Sequence, residues 1–231
     1  MQPKLKRVAA IHDLSGFGRA SLTVIIPTLS VMGIQVCPVP TAVLSTHSGG
    51  FTDYAFHDLT DIMSGYTAHW KKLGLSFDCI YSGFLGSPRQ ASIVSSFIDD
   101  FKTERTLTVV DPVMGDNGSL YNSVSKDMIP EMRKLIAKAD IIVPNFTEAA
   151  LLLNGEQNKP LSKSQMKTRL QKLSDMGPGT VVITSVPDKE NPDSVNTIAY
   201  ERESGSFWKI SAQRLPGMYP GTGDTFASVM I

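Results

Sequence analysis

The run Pro220-Gly221-Thr222-Gly223-Asp224-Thr225-Phe226-Ala227 holds the residues best suited to chemistry. Two glycines let a backbone come close to a ligand. The residues from Asp224 to Met230 read as a helix start, whose free N–H groups form an anion site. A carboxylate beside such a site repels a bound phosphate, but makes sense as a base beside a phosphoryl group in transfer. The plainer reading is a glycine turn with Asp224 as a helix N-cap, and four residues leave both open.

A second set of polar residues closes a series of apolar runs. Cys79–Tyr81 leads into Ser82-Gly83-Phe84-Leu85-Gly86, and Leu107–Val110 into Asp111-Pro112-Val113-Met114-Gly115. Ile141–Val143 leads into Pro144-Asn145-Phe146-Thr147-Glu148, and Val181–Ile183 into Thr184-Ser185. In a parallel sheet the carboxyl ends of the strands share one edge, where α/β proteins place their ligands. On that reading Ser82, Asp111, Asn145, Glu148, Thr184 and Ser185 converge on one cleft. For any single one, helix capping is an equal alternative; four strand ends with the same habit favour a site.

Other chemistries find no support. There is no G-x-x-x-x-G-K-[ST] run for a Walker-type NTPase. Gly16-Phe17-Gly18-Arg19-Ala20-Ser21 imitates a dinucleotide fingerprint, but it lacks the third glycine, and no acid stands near Val36–Val39 to hold a ribose. His12, His47, His57 and His69 show no metal-ligand spacing, and no G-x-S-x-G elbow exists.

These residues need a scaffold of strands and helices. Leu5–Ile11, Gln35–Leu44, Cys79–Ser82, Leu107–Val110, Ile141–Val143 and Val181–Thr184 read as buried strands, with Asp13 just past the first. Ser162–Met176 reads as an amphipathic helix opened by a Ser162-x-x-Gln165 capping box, and Thr147–Asn154 as a short helix stopped at Gly155. Thr197–Tyr200 and Phe207–Ser211 read as a hairpin. The alternation implies an α/β sandwich around a mostly parallel sheet.

The 231 residues are enough to bury a core. Lys plus Arg and Asp plus Glu both number 22, so no basic surface is offered to nucleic acid. Two cysteines, Cys37 and Cys79, exclude a disulfide scaffold and fit a reducing cytoplasm. The N-terminal apolar run is too short for a signal peptide, and Leu22–Gly33, interrupted by Pro27, falls short of a membrane span.

Gly221-Thr222-Gly223-Asp224 after a hairpin, with Asn145-x-x-Glu148 upstream, resembles the ribokinase-like superfamily of small-molecule kinases. Within it the chain resembles the pyridoxal kinases of vitamin B6 salvage. The segments that carry this are Ser82-Gly83-Phe84-Leu85-Gly86-Ser87, Asp111-Pro112-Val113-Met114-Gly115-Asp116, Gly118-Ser119-Leu120-Tyr121, Pro144-Asn145-Phe146-Thr147-Glu148-Ala149, Val182-Ile183-Thr184-Ser185 and Gly221–Asp224. They follow the family's order and spacing over essentially the whole chain.

The resemblance implies a ribokinase-like three-layer α/β/α sandwich and ATP-dependent phosphorylation of the 5′-hydroxymethyl group of pyridoxal, pyridoxine or pyridoxamine. It makes Asp224 the catalytic base, with the Gly221, Thr222 and Gly223 amides around the moving phosphoryl group. Asn145 and Glu148 would organise Mg2+ largely through water, with Asp111 near metal and phosphates. Thr184 and Ser185 would meet the ATP phosphates, and Tyr121 would serve as a lid. Asp13, His47, Ser48 and Phe84 would contact the substrate ring; the pyridoxal kinases often carry serine at the position of Asp13. A monovalent cation such as K+, a homodimer and a cytoplasmic location are further family habits. Family members continue for several elements past the Gly-Thr-Gly-Asp helix. One domain over residues 1–231, cut short at its C-terminal end and destabilised, is therefore expected.

Three rivals stand beside this reading. Asp13 also fits a hydroxymethylpyrimidine kinase of thiamin synthesis. A non-catalytic binder of B6 vitamers would have no need of Asp224 beside an anion site. A sugar kinase would carry an early glycine pair, present here only as Gly49-Gly50 in another context.

Overall fold

Short runs of β-branched residues form strands here where both faces are covered, and amphipathic segments between them form helices. The structure is a computed structural model and describes residues 5–155, 161–188, 190–217 and 219–231. The chain forms two compact units, one of residues up to Val109 with Tyr219–Ile231, the other of the residues between.

The first unit begins with β1 (Arg7–Phe17), α1 (Leu22–Val31), β2 (Gln35–Thr46), β3 (Phe56–Asp58), α2 (Thr60–Lys72), β4 (Cys79–Ser82), α3 (Pro88–Phe101) and β5 (Leu107–Val110). Its strands run in the order β5-β4-β1-β2-β3. β1 pairs in parallel with β2 and β4, while β3 returns antiparallel along β2. Val8, Ala9, Ala10 and Ile11 are buried, as are Ile80 and Tyr81, so this centre is apolar on both faces.

β1 and β2 are longer than the apolar runs suggest. His12, Asp13 and Ser15 look like the end of a strand, yet β1 continues to Phe17, which lies opposite Thr46. The register shifts between His12 and Leu14, where β2 carries one extra residue. Such a bulge bends a strand and re-aims its side chains. α1 was not legible as a helix, because Pro27 sits inside it. The proline loses one hydrogen bond that the apolar packing of Leu22, Ile25 and Leu29 offsets.

The second unit holds a small hairpin, β6 (Gly115–Asp116) and β7 (Ser119–Leu120), then α4 (Met128–Ile136), β8 (Ile141–Ile142), α5 (Phe146–Leu152), α6 (Lys163–Asp175), β9 (Thr180–Pro187), β10 (Ser194–Glu201) and β11 (Ser206–Gln213). β8 and β9 are parallel, and β9, β10 and β11 are successive antiparallel neighbours. The expected hairpin and the Ser162 capping box are both present. Thr184 and Ser185 lie inside β9 rather than at its end. The chain then returns to the first unit as α7 (Thr222–Met230). Among the described residues no helix is long and apolar enough to cross a membrane.

Candidate active site

α7 starts at Gly221, in the left-handed region with φ 78°. A Cβ there would lie 2.2 Å from the carbonyl oxygen of Arg19, so the position needs glycine twice over. No side chain caps α7, which leaves its first-turn N–H groups without a side-chain acceptor. The space above Gly223 is open. The close approach at Gly221 is thus to the chain's own backbone, and the open face of the turn lies at Gly223. Gly221, not Asp224, is the N-cap; Asp224 sits in the first turn.

The half-buried Asp224 accepts a 2.8 Å hydrogen bond from the backbone N–H of Ser21. Burial raises its carboxyl above the usual range, the Ser21 N–H opposes this, and the charge of Asp13 adds to it. Asp13 is buried on β1. Its carboxylate takes the hydroxyl of Ser21 at 2.5 Å on one oxygen and that of Ser15 at 2.9 Å on the other. Burial raises its carboxyl too, against the two hydroxyls and His47.

Two further predicted residues stand in the same unit. The half-buried His47 follows β2. A Cβ on Gly18 would lie 2.0 Å from its ring, and Phe51 meets that ring edge-on at 5.0 Å. Ser48 beside it is exposed. Phe84 is half-buried in the loop after β4. That loop is held by Thr41, whose hydroxyl donates to the Phe84 carbonyl at 3.0 Å, and by the fully buried Gln90. Gln90 accepts from the Gly86 N–H at 2.7 Å and donates to the Thr41 carbonyl and Thr60 hydroxyl, both at 2.9 Å. Ser82 is buried at the end of β4, opposite Ile11.

The second unit gathers the other predicted residues. Asn145 caps α5 by accepting the Glu148 N–H at 2.9 Å, and its Nδ2 donates to the Gly115 carbonyl at 2.8 Å. Glu148 completes a capping box with the N–H of Asn145 at 2.8 Å. Its other oxygen accepts the N–H of Met114 at 3.0 Å and, longer, that of Gly115 at 3.5 Å. Burial drives its carboxyl up to about 8, against these three N–H groups. Thr147 accepts the Gly118 N–H at 2.9 Å. The turn after Asp111 is therefore braced on α5 from Met114 to Gly118. Asp111 itself is buried, and the Tyr121 side chain is exposed beyond the β6–β7 hairpin. Thr184 bridges to Asn145 in parallel fashion, and Ser185 is exposed with φ 54°.

The capping reading therefore holds for Asn145 and Glu148. Both carboxylate oxygens of Glu148 are engaged by backbone, so direct coordination of a cation would cost those bonds. Among the described residues no group of three or more His, Cys, Asp or Glu side chains is placed to hold a metal ion. The donor set does not form a protein cage for Mg2+. It suits an ion that keeps its waters and rides on nucleotide phosphates, with Asp111 as the remaining predicted carboxylate.

Sequence reasoning missed Ser21 and Gln90. A serine ahead of an apolar run reads as an ordinary helix cap, and nothing in the one-letter string shows that its side chain turns to Asp13 instead.

Comparison with known proteins adds the following. The family model described as phosphomethylpyrimidine kinase matches residues 20–231. A Bacteroides thetaiotaomicron protein, provisionally named a phosphomethylpyrimidine kinase and crystallised with pyridoxal, is 52% identical with a TM-score of 0.95, over 98% of this chain and 79% of that one. The pyridoxal kinase of Lactobacillus plantarum is 34% identical with a TM-score of 0.88, over 98% of this chain and 79% of that one. The pyridoxal kinase of Sus scrofa is 29% identical over 225 residues, 88% of this chain and 67% of the relative. The expected α/β, ribokinase-like fold is borne out by these structures.

Proposed function

The chain belongs to the phosphomethylpyrimidine kinase family, and from that premise we propose that it moves the terminal phosphoryl group of ATP to the 5′-hydroxymethyl oxygen of pyridoxal, pyridoxine or pyridoxamine. The observation that carries the reading is Asp224, a desolvated carboxylate in the first turn of a helix whose first N–H groups have no side-chain cap. The 34% identity to a pyridoxal kinase supports the choice of substrate.

In this mechanism the substrate hydroxyl donates to Asp224. A carboxylate, even one raised by burial, cannot deprotonate an alcohol at equilibrium. Asp224 orients the hydroxyl and takes its proton late, as the bond from the 5′-oxygen to the γ-phosphorus forms and the bond to the β,γ-bridging oxygen breaks. ADP leaves with that electron pair. The first N–H groups of α7 stabilise charge on the phosphoryl oxygens in flight. Asn145, Thr184, Ser185 and Asp111 serve the nucleotide in this reading. Mg2+ carried in on the phosphates would neutralise their charge. Asp13, His47, Ser48 and Phe84 serve the ring, and Tyr121 covers the site. A homodimer and a monovalent cation belong to the same reading; sedimentation and K+ dependence test them.

A second reading, phosphorylation of hydroxymethylpyrimidine, is favoured by the description of the matching family and by Asp13. The test is to supply MgATP with each of the three B6 vitamers and with hydroxymethylpyrimidine and to measure phosphorylated product. B6 phosphates expected with the parent should fall by about 10²–10⁴ in rate with Asp224→Ala. Product from hydroxymethylpyrimidine alone would overturn the B6 reading, and an unimpaired Asp224→Ala variant would overturn the role of the base.

A further inference from the structure

The proposed mechanism leaves Ser21 without a part, yet its surroundings single it out. It precedes α1 at the N-cap position, but its side chain makes no capping bond there. Its backbone lies at φ 51°, ψ −132°. That corner belongs to glycine, and a residue with a Cβ stays there only when neighbours hold it. Two neighbours do. The Ser21 hydroxyl donates to Asp13 on β1 at 2.5 Å, and its backbone N–H donates to Asp224 on α7 at 2.8 Å. Ser21 itself is buried, so water does not compete strongly for either bond.

We propose that Ser21 is the positioning residue of the base: its hydroxyl, anchored on Asp13, holds the glycine-like backbone corner that aims its own N–H at Asp224. The inference rests on the reading of Asp224 as the base. It assigns Asp13 a part beyond contact with the substrate ring. Its two oxygens take the hydroxyls of Ser15 and Ser21, so its charge reaches the reaction through Ser21.

The arrangement makes opposite demands on two variants. Ser21→Ala loses the anchor and keeps the Cβ, so the corner relaxes and the N–H leaves Asp224. Ser21→Gly loses the anchor but needs none, since glycine occupies the corner freely. Asp13→Asn removes a like charge from the neighbourhood of Asp224. The charged group acting on Asp224 is Asp13, from β1; His47, after β2, acts on Asp13; from the α1 entry Arg19 contributes its carbonyl against Gly221. All of these persist in the Ser21 variants.

The experiment measures kcat, KM for pyridoxal and the acid limb of kcat against pH, together with titration of the Asp224 carboxyl by 13C NMR. Ser21→Ala should lower kcat by about ten- to a hundredfold, the cost of a misplaced catalytic group. Ser21→Gly should retain about tenfold more kcat than Ser21→Ala. The acid limb and the NMR titration should move to higher pH in Ser21→Ala, which loses a donor to the charged form. They should move to lower pH in Asp13→Asn, which loses a repelling charge. A merely structural role would lower activity without moving either titration. Equal damage from glycine and alanine, or an Asp224 titration that stays put in Ser21→Ala, would overturn the proposal. Should Ser21→Ala not fold, Ser21→Gly decides: an Asp224 titration near that of the parent supports the proposal, and one displaced upward overturns it. An Asp224→Ala variant as active as the parent would sink the base reading instead, and the NMR titrations would still report on Ser21.

Discussion

Glu148→Ala separates two roles for a carboxylate that sequence resemblance places at the metal. The structure gives Glu148 a full set of backbone partners: the N–H groups of Met114 and Asn145 at 3.0 and 2.8 Å, and that of Gly115 at 3.5 Å. Alanine leaves the first two as buried donors without acceptors. Each such orphan costs about 1–3 kcal/mol, which puts the variant about 2–6 kcal/mol below the parent. For a chain of this size that lowers the melting midpoint by about 4–24 °C. Part of the loss is offset, because the parent must bury a carboxylate that burial drives up to about 8. The sign follows from linkage: a carboxyl raised in the folded state binds more protons folded than unfolded, so its contribution to stability falls as pH rises from the ordinary value of 4.5 to about 8. The stability gap between the parent and Glu148→Gln should therefore shift against the parent across that window. The assay is thermal melting at several pH values beside the dependence of rate on Mg2+. A Glu148→Ala variant with the parent's melting midpoint and a weakened response to Mg2+ would refute the brace and restore the metal role.

Two other substitutions probe the groups around the base. Gly221→Ala places a Cβ at φ 78° and 2.2 Å from the Arg19 carbonyl, and should cost about 2–4 kcal/mol in thermal or urea unfolding, with a fall in kcat because Asp224 is three residues on. An alanine variant of parental stability would mean that the left-handed cap is dispensable. Gln90→Ala strips the acceptor from the Gly86 N–H and the donor from the Thr41 carbonyl, and should cost about 2–4 kcal/mol while raising KM for pyridoxal more than KM for ATP. Equal effects on the two KM values would detach the loop of Phe84 from the ring site.

What the sequence revealed and what it hid divide along a physical line. β4 and β5 were legible to the residue, because Cys79–Ser82 and Leu107–Val110 are short runs that a turn cuts off on both sides. The Ser162 box was legible because capping is a local exchange between residues three apart. β1 was not, because its second half is polar: His12, Asp13 and Ser15 are buried residues that a pattern of apolar positions assigns to a loop. Asp13 stays inside by taking the hydroxyls of Ser15 and Ser21, and Ser21 in turn reaches Asp224, 203 residues along the chain. Local rules fail where a fold stores function, and here they fail together: a strand with a buried carboxylate opposite a bulge in its neighbour, a serine in a glycine's conformation, a helix that opens with no side-chain cap. Each would be a cost in a purely structural position. Their meeting around one carboxylate, rather than any of them singly, is what supports the proposed role of Asp224.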